Sequence, residues 1–229
     1  AEHRPVTHGS AEGMWLAETA VDTATLELLA QHNILFTILA PRQAKAFRKL
    51  NDDQWQTINE NQLDTAIPYA YKLPSGRTIA LFFYNGQISR EVAFNGLLNS
   101  GKLFADRLIV ATRDTEQPQL IHIATDGESY GHHHYRGDMA LASCIDYLKK
   151  NKSVTLTNYG EFLAKFPPQY EIQIHENSSW SCVHGVERWR SNCGCSDGGN
   201  PGFHQQWRAP LRNALNWLKE KADVVFETE

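Results

Sequence analysis

Apolar residues recur along this chain at two spacings, one suited to helices and one to strands. Leu26, Leu29 and Ala30 share a helical face, with Asp22 as an N-cap and Asn33 as a stop, which predicts a helix over 22–31. The apolar run from Ile34 to Leu39, ended by Pro41, predicts a buried strand. A helix is expected near 44–50. The polar stretch 51–76, with Pro68, Pro74 and Gly76, then reads as an insertion or long loop. Thr78 to Tyr84 is almost continuously apolar, the pattern of a strand covered on both faces. Helices near 89–98 and 102–112 follow, and a strand over 120–124 runs straight into Thr125-Asp126-Gly127-Glu128. Asp138 opens a helix to about Lys150, with Leu141, Ile145 and Leu148 on one face. Short strands are expected at 154–156 and 171–175. Residues 176–205, rich in Gly, Ser, Asn, Cys and His, read as irregular. A last helix begins near Pro210, with Leu211, Ala214, Leu215 and Leu218 along one side. Trp207 and Trp217 read as buried helix contacts. Alternating strands and helices imply an α/β architecture with a mainly parallel sheet.

Composition narrows the class. The 229 residues are 41% hydrophobic, 21% charged and 10% aromatic, which excludes a disordered or collagen-like chain. A net charge of −4 gives no basic field, so no nucleic-acid partner is expected. No apolar run approaches the roughly 20 residues that span a bilayer, so no membrane role is expected either. Four cysteines are too sparse for a secreted disulfide framework, so reduced thiols and a cytoplasmic location are favoured. The chain begins Ala1-Glu2-His3 without methionine or signal-peptide pattern. Upstream residues are therefore expected to have been removed, or the chain to be part of a longer one, and the compartment stays open.

In parallel α/β folds, sites form where strands end and lead into helices. Three such places carry reactive side chains: Gly13–Glu18, Asp126–His134 and His175–His184. Carboxylates, imidazoles and indoles together suit acid–base chemistry on a polar ligand with an apolar face, as sugars are. On composition alone, Asp-Gly-Glu is a turn and Glu18 a helix-start carboxylate.

The motifs carry more. Gly13-Met14-Trp15-Leu16-Ala17-Glu18 resembles the Gly-x-Trp-Leu-x-Glu motif of glycoside hydrolase family 57. Thr125-Asp126-Gly127-Glu128-Ser129-Tyr130-Gly131 resembles its Asp-Gly-Glu-x-Phe/Tyr-Gly motif. Ser178-Ser179-Trp180-Ser181-Cys182-Val183-His184-Gly185, with Cys193-Gly194-Cys195 and Gln206-Trp207-Arg208 downstream, is similar to a subgroup whose C-terminal segment has no assigned role. The resemblance runs from about Gly13 to Leu218. It implies a partial (β/α)7-type barrel over 1–175, followed by an irregular segment and C-terminal helix, 176–229, packed on it. The family's early strands carry a His-Gln-Pro motif that residues 1–12 lack, so the chain is expected to correspond to the C-terminal part of the barrel. A half-barrel would leave the strands at 34–39 and 78–84 short of neighbours, and self-association or marginal stability is expected.

The resemblance further implies Glu18 as nucleophile and Asp126 as acid/base in a retaining hydrolysis of α-glucans, with carboxyl groups about 5–5.5 Å apart. Glucan branching, 4-α-glucan transfer and a non-catalytic carbohydrate-binding fragment stand as alternatives. A deacetylase-like metal enzyme would need paired histidines one helical turn apart and an Asp-Asp strand end, and neither is visible. Trp15, Glu128, His132, His133, Trp180 and His184 are expected to border the substrate, and Glu128 to raise the pKa of Asp126 by like charge. No organic cofactor is implied. Cys182, His184, Cys193 and Cys195 are four potential zinc ligands, but their spacing is not a common zinc-finger pattern, so no metal is assigned. Reduced cysteines are expected, Cys144 as a packing residue.

Overall fold

The computed structural model describes residues 11–58, 62–196, 199–200 and 202–228; the expectations about the first ten residues lie outside these. Among the described residues, seven strands form one sheet: β1 (Gly13–Met14), β2 (Phe36–Leu39), β3 (Ala44–Lys49), β4 (Gln56–Thr57), β5 (Tyr69–Lys72), β6 (Thr78–Phe83) and β7 (Tyr170–Ile174). Their spatial order is β1-β2-β6-β5-β7-β3-β4. β1 runs parallel to β2, β2 to β6 and β5 to β7. β5 is antiparallel to β6, and β3 to both β7 and β4.

The apolar run of β6 explains the layering. Successive strand side chains point to opposite faces. Ile79, Leu81 and Phe83 join one core with Leu26 and Leu29 of helix α1 (Thr23–Gln31). Ala80 and Phe82 join a second with Phe36 and with Phe162 of helix α5 (Tyr159–Lys165). The sheet is therefore covered on both faces. A third core unites helices α2 (Gly86–Phe94), α3 (Gly101–Val110) and α4 (Gly137–Lys150), where Cys144 is buried as expected. Asp22 caps α1, its carboxylate accepting from the Thr25 amide at 2.7 Å. β2 and β6 are interior strands, so the expected shortage of neighbours there does not occur; the edges are β1 and β4.

Four local expectations are corrected. Residues 44–49 form β3, not a helix: Ala44 and Ala46 turn inward while Lys45 stays exposed, and the ladder to β7 overrides the helix propensity of Ala and Lys. Arg48 reaches the Glu171 carboxylate on β7 at 2.8 Å, and Lys72 of β5 does so at 3.1 Å, so the buried acid is paired. The stretch 51–76 contributes β4 and β5 rather than only a loop. Residues 120–124 join no ladder; β2 and β5 already occupy both sides of β6. Their bonds go to the Ala66 carbonyl, the Asn85 amide and the Ser89 hydroxyl. Residues 154–156 likewise form no strand, and α5, capped by Asn158, follows them unanticipated.

Beyond β7 lie a short helix, α6 (Glu187–Arg190), and the long α7 (Arg208–Glu227). α7 has no buried residue; Leu211, Leu215, Trp217 and Phe226 are all exposed. Trp207 and Trp217 are thus surface groups rather than the expected buried contacts. No helix among the described residues is long and apolar enough to cross a membrane.

Candidate active site

Glu18 lies in the turn that leaves the C-terminal end of β1. Gly13 opens this motif for a steric reason: a Cβ there would sit 2.2 Å from the Phe36 ring on the neighbouring strand. The Thr37 hydroxyl donates to the Met14 carbonyl at 2.7 Å and fixes the strand's exit. Glu18 and Thr19 both adopt left-handed backbone, with φ of 55° and 50°. Each costs roughly 1–3 kcal/mol for a residue with a side chain. The surroundings hold the kink. The Gln43 side chain accepts from the Thr19 hydroxyl (2.8 Å) and the Ala40 amide (2.9 Å). It also donates to the Thr19 carbonyl (2.8 Å) and to Ser178 Oγ (3.1 Å).

The segment after β7 closes over this turn. Val21 bridges to Ser178, and the Trp180 amide donates to the Glu18 carbonyl at 3.1 Å. Glu176 accepts from the Thr23 amide at 2.9 Å, at the N-terminus of α1. Arg42 donates to the Ser179 carbonyl at 2.7 Å. Trp180 is thereby aimed: its indole Nε1 donates to the Glu18 carboxylate at 3.0 Å. Trp15 meets Trp180 edge to face at 5.1 Å, and Tyr84 meets it at 6.0 Å. Trp15 remains 41% exposed, so part of its ring is open to a ligand. Glu18, Trp15 and Trp180 therefore form one constellation.

Asp126 stands at the start of a single 3-10 turn, Gly127–Tyr130, with its carboxylate exposed and in no hydrogen bond among the described residues. The segment that delivers it is tied to the end of β6, where the Asn85 amide donates to the His122 carbonyl at 2.9 Å. Buried His122 anchors it further. The Thr65 carbonyl can only accept, so Nε2 carries the proton there (3.0 Å) and Nδ1 accepts from the Tyr159 hydroxyl (2.9 Å). Burial pushes the His122 pKa down to about 4. Glu128 is exposed on this turn, and His132 and His133 are exposed just after it. The Glu128 carbonyl accepts from both histidine amides, and the two rings meet at 5.0 Å. His134 turns away to the Ala93 carbonyl, at 2.8 Å.

His184 belongs to a different group. Its Nδ1 lies 3.2 Å from Cys195 Sγ, and Cys182 Sγ lies 3.0 Å from Cys195 Sγ. The hydrogen bond with Cys182, followed by burial, pushes the Cys195 thiol up to about 11. All four cysteines are unpaired. A cleft of about 240 Å³ between α6 and α7, lined by Arg188, Trp207, Arg208 and Leu211 among others, includes none of the expected site residues. Gln43 carries no sequence signal of burial because it sits among Arg42, Lys45 and Arg48, in a polar stretch without period. The Pro41 turn before it was the available signal.

A seven-stranded sheet with helices on both faces, and carboxylates and indoles on the loops beyond its strand ends, defines an α/β protein. More specifically, the chain belongs to Glycosyl hydrolase family 57, whose family model matches residues 8–175. A domain of unknown function, DUF3536, matches residues 203–229. No curated protein matches the chain. Among solved structures, it resembles a 4-α-glucanotransferase from Thermococcus litoralis, with 18% identity and a TM-score of 0.57, over 74% of this chain and 25% of that one. It also resembles an exo-type maltose-forming amylase from Pyrococcus sp. ST04, at 18% identity and TM-score 0.57, over 80% of this chain and 32% of that one. A third is a branching enzyme from Pyrococcus horikoshii, at 16% identity and TM-score 0.56, over 78% and 42%. The chain thus spans less than half the length of each of these three proteins.

Proposed function

We propose that the chain carries the two carboxylates of a retaining enzyme acting on α-glucans. Glu18 attacks the anomeric carbon while Asp126 gives its proton to the departing glycosidic oxygen, and a glycosyl ester forms on Glu18. Asp126, now a carboxylate, takes a proton from water or from a sugar hydroxyl. That oxygen attacks the anomeric carbon and releases Glu18. Water gives hydrolysis; a sugar hydroxyl gives transfer or branching, in keeping with the mixed activities named for the structural neighbours. The open part of the Trp15 ring suits the C–H face of a glucose unit, and His132 and His133 supply hydrogen bonds from the Asp126 turn.

The observation that carries this reading is the hydrogen bond of Trp180 Nε1 to the Glu18 carboxylate, on a strained turn held from three sides. A nucleophile needs such orientation; a solvated surface acid does not. The test is incubation of the full chain with soluble starch and maltooligosaccharides, with products resolved by length. Shortened products support hydrolysis and lengthened ones transfer. Both should vanish in Glu18→Gln, which keeps the shape but is a poor nucleophile. Saturable maltooligosaccharide binding without turnover would replace the catalytic reading with a binding one.

A further inference from the structure

The four ligand atoms of Cys182, His184, Cys193 and Cys195 all lie within 4.8 Å of one another. Three thiols and an imidazole from two separate loops do not converge by packing alone. The Cys182 and Cys195 sulfurs are 3.0 Å apart, closer than unbonded sulfurs rest, yet well beyond the S–S bond of about 2.05 Å. A Cys182–Cys195 disulfide would account for two of the four groups and leave Cys193 and His184 unexplained. We propose that these four residues bind a single zinc-type divalent ion, in a closed tetrahedral site that is structural rather than catalytic.

The ligand set fits. Zinc takes Cys3His sets at about 2.3 Å from sulfur and 2.0–2.1 Å from nitrogen, and four protein ligands leave no open position. Sulfurs at that radius stand roughly 3.8 Å apart in a tetrahedron, between the 3.0 Å and 4.8 Å seen across the group. Both ligand pairs are Cys-x-ligand turns made possible by glycine. Gly194, at φ 79°, lies between Cys193 and Cys195 and lets both sulfurs face inward. Gly185, at φ 60°, reverses the chain after His184, where a Cβ would meet the Asn177 carbonyl oxygen at 1.9 Å.

The surroundings fit as well. Three thiolates and a dication carry one net negative charge, and Arg208 answers it, its Nη1 lying 3.4 Å from Cys193 Sγ. The His184 amide donates to Cys182 Sγ at 3.3 Å. Buried Gln205 braces the second loop, donating to the Cys195 carbonyl and accepting from the Gly194 amide. Such outer contacts orient metal ligands. The ion would tie the segment after Trp180 to the loop that follows α6.

Metal content and spectroscopy of the full chain test this without any glucan. We expect one zinc per chain after purification or incubation with zinc. Cobalt(II) should give an intense sulfur-to-metal charge-transfer band with tetrahedral d–d bands. Cys195→Ser and His184→Ala should bind zinc at least tenfold more weakly in competition with a chelating dye. His184→Cys and Cys144→Ser should each retain one zinc. Failure to take up zinc, a Cys182–Cys195 disulfide in unreduced peptides, an iron–sulfur chromophore or an octahedral cobalt spectrum would each overturn the proposal.

Discussion

Gln43 is the residue whose loss the structure penalises most clearly. Its side chain is fully buried and makes four hydrogen bonds, to the Thr19 hydroxyl and carbonyl, the Ala40 amide and Ser178 Oγ. Gln43→Ala removes all four and strands buried groups, each costing about 1–3 kcal/mol when left unpaired. Water entering the vacated volume would recover part of that, so we expect a net loss of roughly 3–4 kcal/mol. Against a typical total of about 5–15 kcal/mol this is severe. For a domain of this size it corresponds to a fall in Tm of roughly 6–16 °C. Gln43→Met refills the volume without the bonds, so comparing the two variants in urea titrations separates packing from hydrogen bonding. Turnover should fall as well, because the left-handed Glu18–Thr19 turn loses its main brace. A Gln43→Ala stability within about 0.5 kcal/mol of the parent would refute the view that this residue holds the kink.

Other consequences follow from single contacts. His122 is depressed in the fold, from 6.5 to about 4, so its contribution is complete above about pH 6.5 and is lost as pH falls towards 4. The difference of 2.5 is worth about 3 kcal/mol, and His122→Gln should flatten the pH–stability curve across that window. Gly13→Ala forces a methyl into the Phe36 ring and should cost roughly 1–3 kcal/mol by thermal melt, with Phe36→Leu restoring part of it. Asp126→Asn should slow glucan turnover by about 10²–10⁴-fold. It should slow an aryl glucoside with a good leaving group far less; equal losses on both substrates would remove Asp126 from the acid role.

The legible parts of this chain were those where one local signal had no competitor. β6 declared itself because both faces are buried, and α1 because Asp22 caps a plain amphipathic face. The motif residues Trp15, Glu18 and Asp126 could be picked out singly. What brings Glu18 and Trp180 together could not, because it depends on the Val21–Ser178 bridge and on Gln43, contacts between distant segments with no periodicity. β3 misled because Ala-Lys-Ala-Phe-Arg-Lys has helix-forming residues, while its strand state comes from β7 across the sheet. The 120–124 segment has strand composition, but β6, to whose end it is tied, already has β2 and β5 on its two sides. The Cys/His group was visible as residue types; its convergence arises from two glycine-enabled turns that spacing alone does not reveal.

The proposed mechanism requires that Glu18 become covalently glycosylated. It is tested most directly by incubating the full chain with 5-fluoro-α-glucosyl fluoride, a slow substrate that lets the intermediate accumulate, and mapping the label by peptide mass spectrometry. One glycosyl group is expected on the peptide containing Glu18, absent from Glu18→Gln. A label on another carboxylate, or no label on a chain that cleaves maltooligosaccharides, would contradict it.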